Sequence, residues 1–354
     1  MKRVVVGMSG GVDSSAAALL LQEAGWEVVG VTLHLWDYVQ EGHAGRCCAP
    51  EDQYDAARVC EALGIAHYTF DRKALFKARV VDRFVADYAA GRTPSPCVRC
   101  NESVKLGPLL EIARRLGASH VATGHYARVE ADGDGVSLRV GVDARKDQSY
   151  FLWASPQEAL QALVLPLGEM TKDQVRAVAA RAGLANAAKP DSTDLCFVEG
   201  GSYADFIARH LPGPSRPGPI ESPDGTPLGT HEGVHRFTVG QRRGVGAGGA
   251  PRYVLRIVAD RGAVVVGDAV EASRVGAEVE EFRWLSTLRP AHVVARLRYR
   301  HPGVEARVID RGDGRVRLEF EVPQRGVAPG QAAVLYVGDR VVGGGYIAPE
   351  VGAA

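Results

Sequence analysis

The glycine-rich junction near the start of the chain and three of its six cysteines carry most of the chemistry the sequence offers. Val4-Val5-Val6-Gly7-Met8-Ser9-Gly10-Gly11-Val12-Asp13-Ser14-Ser15 passes from an apolar strand pattern through a tight turn into an Ala/Leu helix. Such a junction aims backbone N–H groups and the positive end of a helix dipole at one point, which suits a phosphate chain. The glycines let the backbone approach an anion closely, and Ser9, Ser14 and Ser15 are expected to add hydroxyl donors and cap the helix. No Lys-Ser or Lys-Thr follows, so this is not a Walker A loop. Cys97 and Cys100 stand in Thr93-Pro94-Ser95-Pro96-Cys97-Val98-Arg99-Cys100-Asn101, read as a Pro-rich loop leading to a helix. Cys196 stands far along the chain in Asp191-Ser192-Thr193-Asp194-Leu195-Cys196-Phe197.

Three readings of these thiols compete. A structural zinc site wants four ligands, usually as two paired sets, and only the adjacent Cys47-Cys48 pair, poor for chelation, could complete one. Inert buried thiols are the plainest reading; Cys60, on a helical face with Val59 and Leu63, fits it best. The third is thiol chemistry shared by Cys100 and Cys196, because a thiolate near a helix N-terminus has a lowered pKa. Two such thiols can exchange sulfur through persulfide and disulfide states.

The elements that must position these groups follow an α/β pattern. Residues 1 to about 125 alternate strand and helix as in a doubly wound parallel sheet: strands Arg3–Gly7, Glu27–Leu35, Ala66–Phe70 and His120–Thr123, helices Ser14–Ala24, Glu51–Leu63, Leu75–Ala90 and Leu106–Leu116. Asp52, Asp55 and Arg58 are assigned to a polar helix face. Ligands of such sheets bind at the carboxyl ends of the strands, where the loop after the first strand, Leu33–Trp36 and Gly124–Tyr126 would lie. Leu163–Pro166 and a helix Lys172–Ala182 close the unit. The run Leu211–Pro219, rich in Pro and Gly, reads as a boundary. Beyond it come short β segments, among them Gly233–Thr238, Tyr253–Val258 and Ala263–Gly267, then a β-rich end. The expected division is a nucleotide-binding α/β domain over 1–210, a small linking domain over 211–278 and an all-β barrel over 279–354.

The 46% apolar and 24% charged composition is that of a globular protein, with no apolar run of the roughly 18 residues a membrane span needs. The passage from Met1-Lys2-Arg3 directly into a strand gives no sign of a signal peptide, so reduced thiols and a cytoplasmic setting are expected. The formal net charge of zero announces no nucleic-acid partner. Yet Glu281–Arg317 holds nine Arg against four Asp or Glu. That local excess suits phosphate contacts as well as it suits a solvated strand face.

The order Ser-Gly-Gly-x-Asp-Ser in Ser9–Ser14 resembles the loop of the PP-loop ATP pyrophosphatases, which split ATP between its α- and β-phosphates and place AMP on a substrate oxygen. An adenylating loop combined with paired reactive thiols points to thiolation: ATP turns a carbonyl oxygen into a leaving group and sulfur replaces it. Over nearly the whole chain the sequence is similar to the tRNA-specific 2-thiouridylase family. The carrying segments are Gly7–Ser15, Thr93–Asn101, Ala122–Arg128, Lys146–Phe151, Asp191–Phe197, His235–Gly244 and Arg298–Arg300.

That resemblance implies adenylation of the 2-carbonyl of a wobble uridine by ATP with Mg2+. Cys196 would carry a persulfide received from a donor such as a cysteine desulfurase or relay protein. Cys100 would release its sulfur, or act through hydrogen sulfide, and end disulfide-bonded to Cys196. Gly7, Met8, Ser9, Gly10, Gly11, Val12, Asp13 and Ser14 would cradle the phosphates, with Asp13 facing magnesium or merely capping the helix. Leu33 and Gly124 would contact adenosine. Lys146, Asp147, Gln148 and His125 would hold the anticodon stem-loop, although His125 also reads as an ordinary loop histidine. Arg298, Tyr299 and Gln331 would touch tRNA from the barrel, and the target base would have to be flipped from its stack. The resemblance also implies a monomer.

Two departures qualify it. Cys97 replaces an acid found three residues before the nucleophile in some members, so Cys97, Cys100 and Cys196 could instead hold an iron–sulfur cluster with one open iron. Asp194 stands where glycine is common, and a carboxylate there would raise the Cys196 thiol pKa by repulsion. The alternatives are a PP-loop amidating or ligating enzyme acting on a small molecule, which leaves the thiols unexplained, and a non-enzymatic tRNA-binding protein, which needs neither Asp13 nor the thiols.

Overall fold

Val4, Val5 and Val6 are fully buried, and their strand is the centre of a five-stranded parallel sheet. A continuous β-branched run is what a strand covered on both faces requires. The computed structural model describes residues 2–37, 50–133, 135–191, 195–198, 202–245 and 251–350; Cys47, Cys48 and Asp194 lie outside these. The chain forms β1 (Arg3–Gly7), α1 (Val12–Glu23), β2 (Glu27–His34), α2 (Pro50–Ala62), β3 (Ala66–Asp71), α3 (Lys73–Phe76) and α4 (Asp82–Ala89). It continues through α5 (Pro96–Cys100), α6 (Leu106–Arg115), β4 (His120–Ala122), β5 (Ala127–Asp132) and β6 (Gly135–Val140). Next come α7 (Ser149–Leu152), α8 (Gln157–Gln161), β7 (Leu163–Val164), α9 (Lys172–Arg181) and α10 (Tyr203–His210). The last strands are β8 (Gly218–Glu221), β9 (Pro227–His231), β10 (Tyr253–Val258), β11 (Ala263–Gly267), β12 (Ser273–Trp284), β13 (His292–Arg296), β14 (Val304–Gly312), β15 (Arg315–Arg325), β16 (Ala332–Val337) and β17 (Arg340–Ile347).

The chain divides into two units. The first holds Met1–Val81, Cys97–Gly200 and Gly338–Val341. Its parallel sheet has the order β3-β2-β1-β4-β7, and the order reverses between β1 and β4. Val6 pairs with Ala122, so the loops leaving these two strands emerge side by side. That switch point is where an open α/β sheet offers its binding crevice. One face is packed by Val12, Ala18, Leu19 and Leu21 of α1, with Ala56, Val59 and Cys60 of α2.

The second unit holds Asp82–Pro96, Gly201–Val337 and Val342–Ala354. A four-stranded sheet of order β10-β11-β8-β9 surrounds a small core of Ile220, Phe237, Val254, Val264 and Val266. The strands β12 to β17 close into a six-stranded antiparallel barrel through the β12–β17 pairing, with Val279, Ala295, Leu318, Leu335 and Val342 in its core. The α/β sheet followed by a β-barrel is the expected fold class. The expected boundary at 278/279 falls inside β12.

Several elements differ from the sequence reading. The helix expected over Leu75–Ala90 is interrupted by a π-helical turn at Lys77–Val81. Gly233–Thr238 is not a strand; Val234–Arg236 forms a 3-10 turn with His235 buried beneath it. Hairpin β5–β6 and strands β8, β9 and β12 were not expected.

Candidate nucleotide and thiol site

The loop after β1 turns at Gly10, whose φ is +74°. A Cβ there would stand 2.1 Å from the Asp52 carbonyl oxygen, so neither the conformation nor the space admits a side chain. The loop is braced from behind. Asn186 Nδ2 donates to the Gly10 carbonyl at 3.0 Å and to Ser15 Oγ at 2.8 Å. Lys189 Nζ bonds Asp52 at 2.5 Å and Asp55 at 2.6 Å, and reaches the Gly10 carbonyl at 3.4 Å. Burial works against the Lys189 charge, but its hydrogen bonds to Asp52 and Asp55 outweigh burial and raise its pKa. Asp52 is therefore not on a solvated helix face, as its polar neighbours had suggested; it is 3% exposed and holds the loop.

The serines do not cap α1. Its N-cap is Gly11, in extended conformation, with no side-chain cap for the first turn. The Ser14 and Ser15 hydroxyls donate to the Gly11 carbonyl at 3.0 and 3.1 Å, and Ser9 N–H donates to Ser14 Oγ at 3.2 Å. They stiffen the turn and leave the helix end to an external anion. Gly7 ends β1, and a Cβ on it would meet Leu109 and Thr123 only at ordinary contact distance. Met8 and Val12 are core residues, 2% and 3% exposed, and Met8 N–H donates to the Val31 carbonyl at 2.8 Å. Leu33 lies half-buried near the carboxyl end of β2.

After β4 the chain presses onto the start of α1 through Gly124. Beside it, His125 shares a hydrogen bond of 2.8 Å between its Nδ1 and Thr123 Oγ1. Desolvation, with repulsion from Lys105 added, pushes its pKa down to about 3, so the ring is neutral at pH 7. The Tyr126 hydroxyl donates to Asp13 Oδ1 at 2.7 Å. Burial, then the Asp13 charge, raise the phenol far above its ordinary value, so it remains a donor.

Lys172 joins the loop to the thiol-bearing segment. It is the first residue of α9, whose start is fixed by a capping box between Thr171 and Gln174. Its Nζ lies 2.7 and 2.8 Å from the two Asp13 oxygens and 2.7 Å from Asp191 Oδ1. Asp191 is shared with Lys146 Nζ at 2.5 Å and Arg176 Nη2 at 3.2 Å. Desolvation alone would raise the Asp191 carboxyl; the hydrogen bonds and charges of Lys146 and Lys172 overcome it and hold the pKa at about 2. Asp143 locks the neighbouring loop to α9 by accepting Lys172 N–H at 3.1 Å.

Of the trio expected to meet RNA, Lys146 is thus ion-paired within the network. Asp147, 6% exposed, accepts the Gly141 and Ser149 N–H groups and the Ser149 hydroxyl. Gln148 Oε1 accepts Tyr126 N–H at 3.0 Å.

The cysteines are not on a loop at 97–100. Pro96–Cys100 is helical and continues through a π-helical turn at Asn101–Lys105 into α6. Proline at the first helical position starts the helix earlier than the Pro-rich run had suggested. Cys97 and Cys100, one turn apart, share a helix face, with Cys97 exposed and Cys100 5% exposed. Next to it, Asn101 Nδ2 donates to the Phe151 carbonyl at 3.1 Å. Cys196 is partly buried, and the adjacent Phe197 packs edge-on against Phe76 at 5.7 Å. Cys60 is fully buried, and desolvation pushes its thiol up to about 12, which makes it inert.

Among the described residues no three His, Cys, Asp or Glu side chains converge as a metal site. The iron–sulfur cluster expected on Cys97, Cys100 and Cys196 therefore finds no support among the described residues. Magnesium is a different case, since it is commonly held by one or two carboxylates together with substrate phosphates, and Asp13 supplies one.

In the second unit, Arg298 is exposed in the turn after β13. The Arg300 guanidinium lies 5.4 Å over the Tyr299 ring. Gln331 Nε2 donates to the Thr93 and Pro94 carbonyls at 3.0 and 3.1 Å. Among the described residues no helix is long and apolar enough to cross a membrane. Sequence reasoning assigned no role to Tyr126, Lys172, Asn186, Lys189 or Asp191. The legible signals were the Thr171–Gln174 capping box, which marks Lys172 as a helix start, and a charged pair flanking Pro190 ahead of the thiol segment.

Residues 2–200 match the family described as "tRNA methyl transferase HUP domain", residues 204–268 "tRNA methyl transferase PRC-barrel domain", and residues 275–347 "Aminomethyltransferase beta-barrel domain". Over 98% of its length the chain is 52% identical to a tRNA-specific 2-thiouridylase of Sorangium cellulosum, covering 92% of that protein. It is 48% identical to the one of Rhodospirillum centenum, over 98% of this chain and 91% of that one. With the one of Synechococcus sp. the identity is 49%, over 98% and 94%.

Proposed function

The chain belongs to the tRNA-specific 2-thiouridylase family, and from this we propose that it is an ATP-dependent tRNA-uridine 2-sulfurtransferase acting on the wobble position. The observation that carries the reading is the Lys172 ammonium, which ties Asp13 of the phosphate loop to Asp191, five residues before Cys196. One ionic contact thus links an anion-binding helix end to a reactive thiol segment within one unit. The small-molecule ligase alternative has no support among relatives of this identity.

The reading assigns the groups as follows. The uracil 2-oxygen attacks the α-phosphorus of ATP and pyrophosphate leaves. The α1 N-terminus and the loop glycines hold the phosphates, and Asp13 is the carboxylate suited to the accompanying magnesium. The terminal sulfur of a Cys196 persulfide attacks C2 and AMP leaves. Cys100 thiolate then attacks the Cys196 sulfur, leaving the thiocarbonyl on the base and a Cys100–Cys196 disulfide, which a reductant must open. Leu33 and Gly124 border the adenosine. Neutral His125, with Lys146 and Gln148, faces the anticodon stem-loop, and Arg298, Tyr299 and Gln331 meet tRNA from the barrel. The persulfide comes from a cysteine desulfurase or relay protein, and the enzyme works as a cytoplasmic monomer.

Protein incubated with ATP, magnesium, a persulfide-loaded desulfurase and unmodified tRNA is expected to give 2-thiouridine with AMP in equal amounts. AMP formation without a thionucleoside would remove the reading.

A further inference from the structure

The loop after β1 contains no lysine, yet a triphosphate brings several negative charges to it. We propose that Lys172 supplies the missing cation, contacting the β- and γ-phosphates of ATP, with Asp191 as its positioning partner. This rests on the reading above and adds to it the residue that takes the phosphate charge.

Four observations converge. The Lys172 side chain is 8% exposed, and an ammonium so enclosed persists only when paired; its partner Asp13 stands in the first turn of the uncapped helix α1. Its backbone is held by Asp143 and by the capping box, which fixes the stem from which the ammonium extends. Around it, Lys172, Lys146 and Arg176 gather on Asp13 and Asp191, with Asp143 accepting Lys172 N–H, so three cationic side chains stand in one network beside the start of α1. The other lysine near the loop is engaged elsewhere: Lys189 bonds Asp52, Asp55 and the Gly10 carbonyl, on the carbonyl side of the turn. Lys172 is the ammonium that bonds a first-turn side chain of α1. Through Asp191, the same contact makes phosphate occupancy felt five residues from Cys196.

The test is nucleotide binding without tRNA or sulfur donor, so its outcome is independent of whether 2-thiouridine is formed. Lys172→Gln is expected to weaken ATP about 10- to 100-fold, the loss of one charge-assisted hydrogen bond. AMP and adenosine affinities should stay within about twofold, because neither carries the outer phosphates, and Lys172→Arg should recover most of the ATP affinity. Unchanged ATP affinity overturns the proposal, and so does an equal loss for ATP and adenosine, which marks a structural role. Should Lys172→Gln not fold, an acyl-phosphate derivative of ATP on the unaltered protein gives the same answer: acylation at Lys172 supports the contact. Acylation at Lys146 or Lys189 with Lys172 untouched overturns it.

Discussion

Gly124 lies against Asp13 so closely that a Cβ on it would stand 2.7 Å from the Asp13 main-chain carbonyl carbon and 2.8 Å from Ser14 N. Gly124 lies in the loop leaving β4 and Asp13 in the first turn of α1, and their contact holds that loop against the helix start at the switch point. Gly124→Ala must push the two apart, at about 1–3 kcal/mol by the usual cost of overpacking. ATP affinity and melting temperature should both fall. Gly133→Ala, where a Cβ meets nothing within 4 Å, is the control and should leave both unchanged.

The three thiols should separate cleanly. Cys196→Ser is expected to abolish 2-thiouridine while leaving ATP affinity within about twofold of the parent. Cys100→Ser should stop turnover after AMP release, with a tRNA–S–S–Cys196 adduct accumulating by mass spectrometry. Cys97 is exposed and, among the described residues, no three metal-ligating side chains converge, so Cys97→Ala should keep at least half the activity and the protein should be colourless as isolated. A tenfold loss in Cys97→Ala, with visible cluster absorption in the parent, would reinstate the third thiol.

Arg298 is exposed after β13, where it suits a phosphate contact. Arg298→Ala should weaken tRNA binding without changing ATP affinity, and reduce the salt slope of binding by roughly one, as removal of a single phosphate contact does. An unchanged slope would place Arg298 off the RNA.

Acid should destabilise the protein in two stages. His67, His125, His231, His235 and His301 are all lowered by desolvation from the ordinary value of 6.5, so the unfolded chain binds more protons than the native one below that pH. Stability from neutral burial is complete above pH 6.5 and is lost as pH falls below it. Asp191, held at about 2 against 3.8, adds stability present above 3.8 and lost between 3.8 and 2. The midpoint of urea unfolding should therefore begin to drop below pH 6.5. In His125→Asn that early drop should shrink; a profile identical to the parent's would mean that His125 titrates normally.

Much of the architecture was written locally. The Val4–Val6 run, the glycine turn and the Ala/Leu helix dictate a strand–turn–helix wherever they are placed, because backbone preference and burial agree over adjacent residues. The parallel sheet followed by β strands was legible for the same reason, as was Cys60 as a core thiol from its helical spacing. The hairpin β5–β6 was missed, although Ala127, Val129 and Ala131 and then Val136, Leu138 and Val140 alternate with other residues, and it is part-buried with Ala127 and Leu138 in the interior.

The sequence by itself therefore pointed to an anion site after β1 and to Cys100 and Cys196 as the thiols to pair with it, and it showed which family the chain belongs to. The tertiary structure alone decided what stands around them. It moved Asp52 from a solvated face to the back of the loop, buried Cys100 while leaving Cys97 one turn away exposed, and placed Lys172 between Asp13 and Asp191, 159 and 19 positions away in the chain. An ion pair carries no sequence periodicity: its energy depends on distance and dielectric in space, which only the folded chain sets.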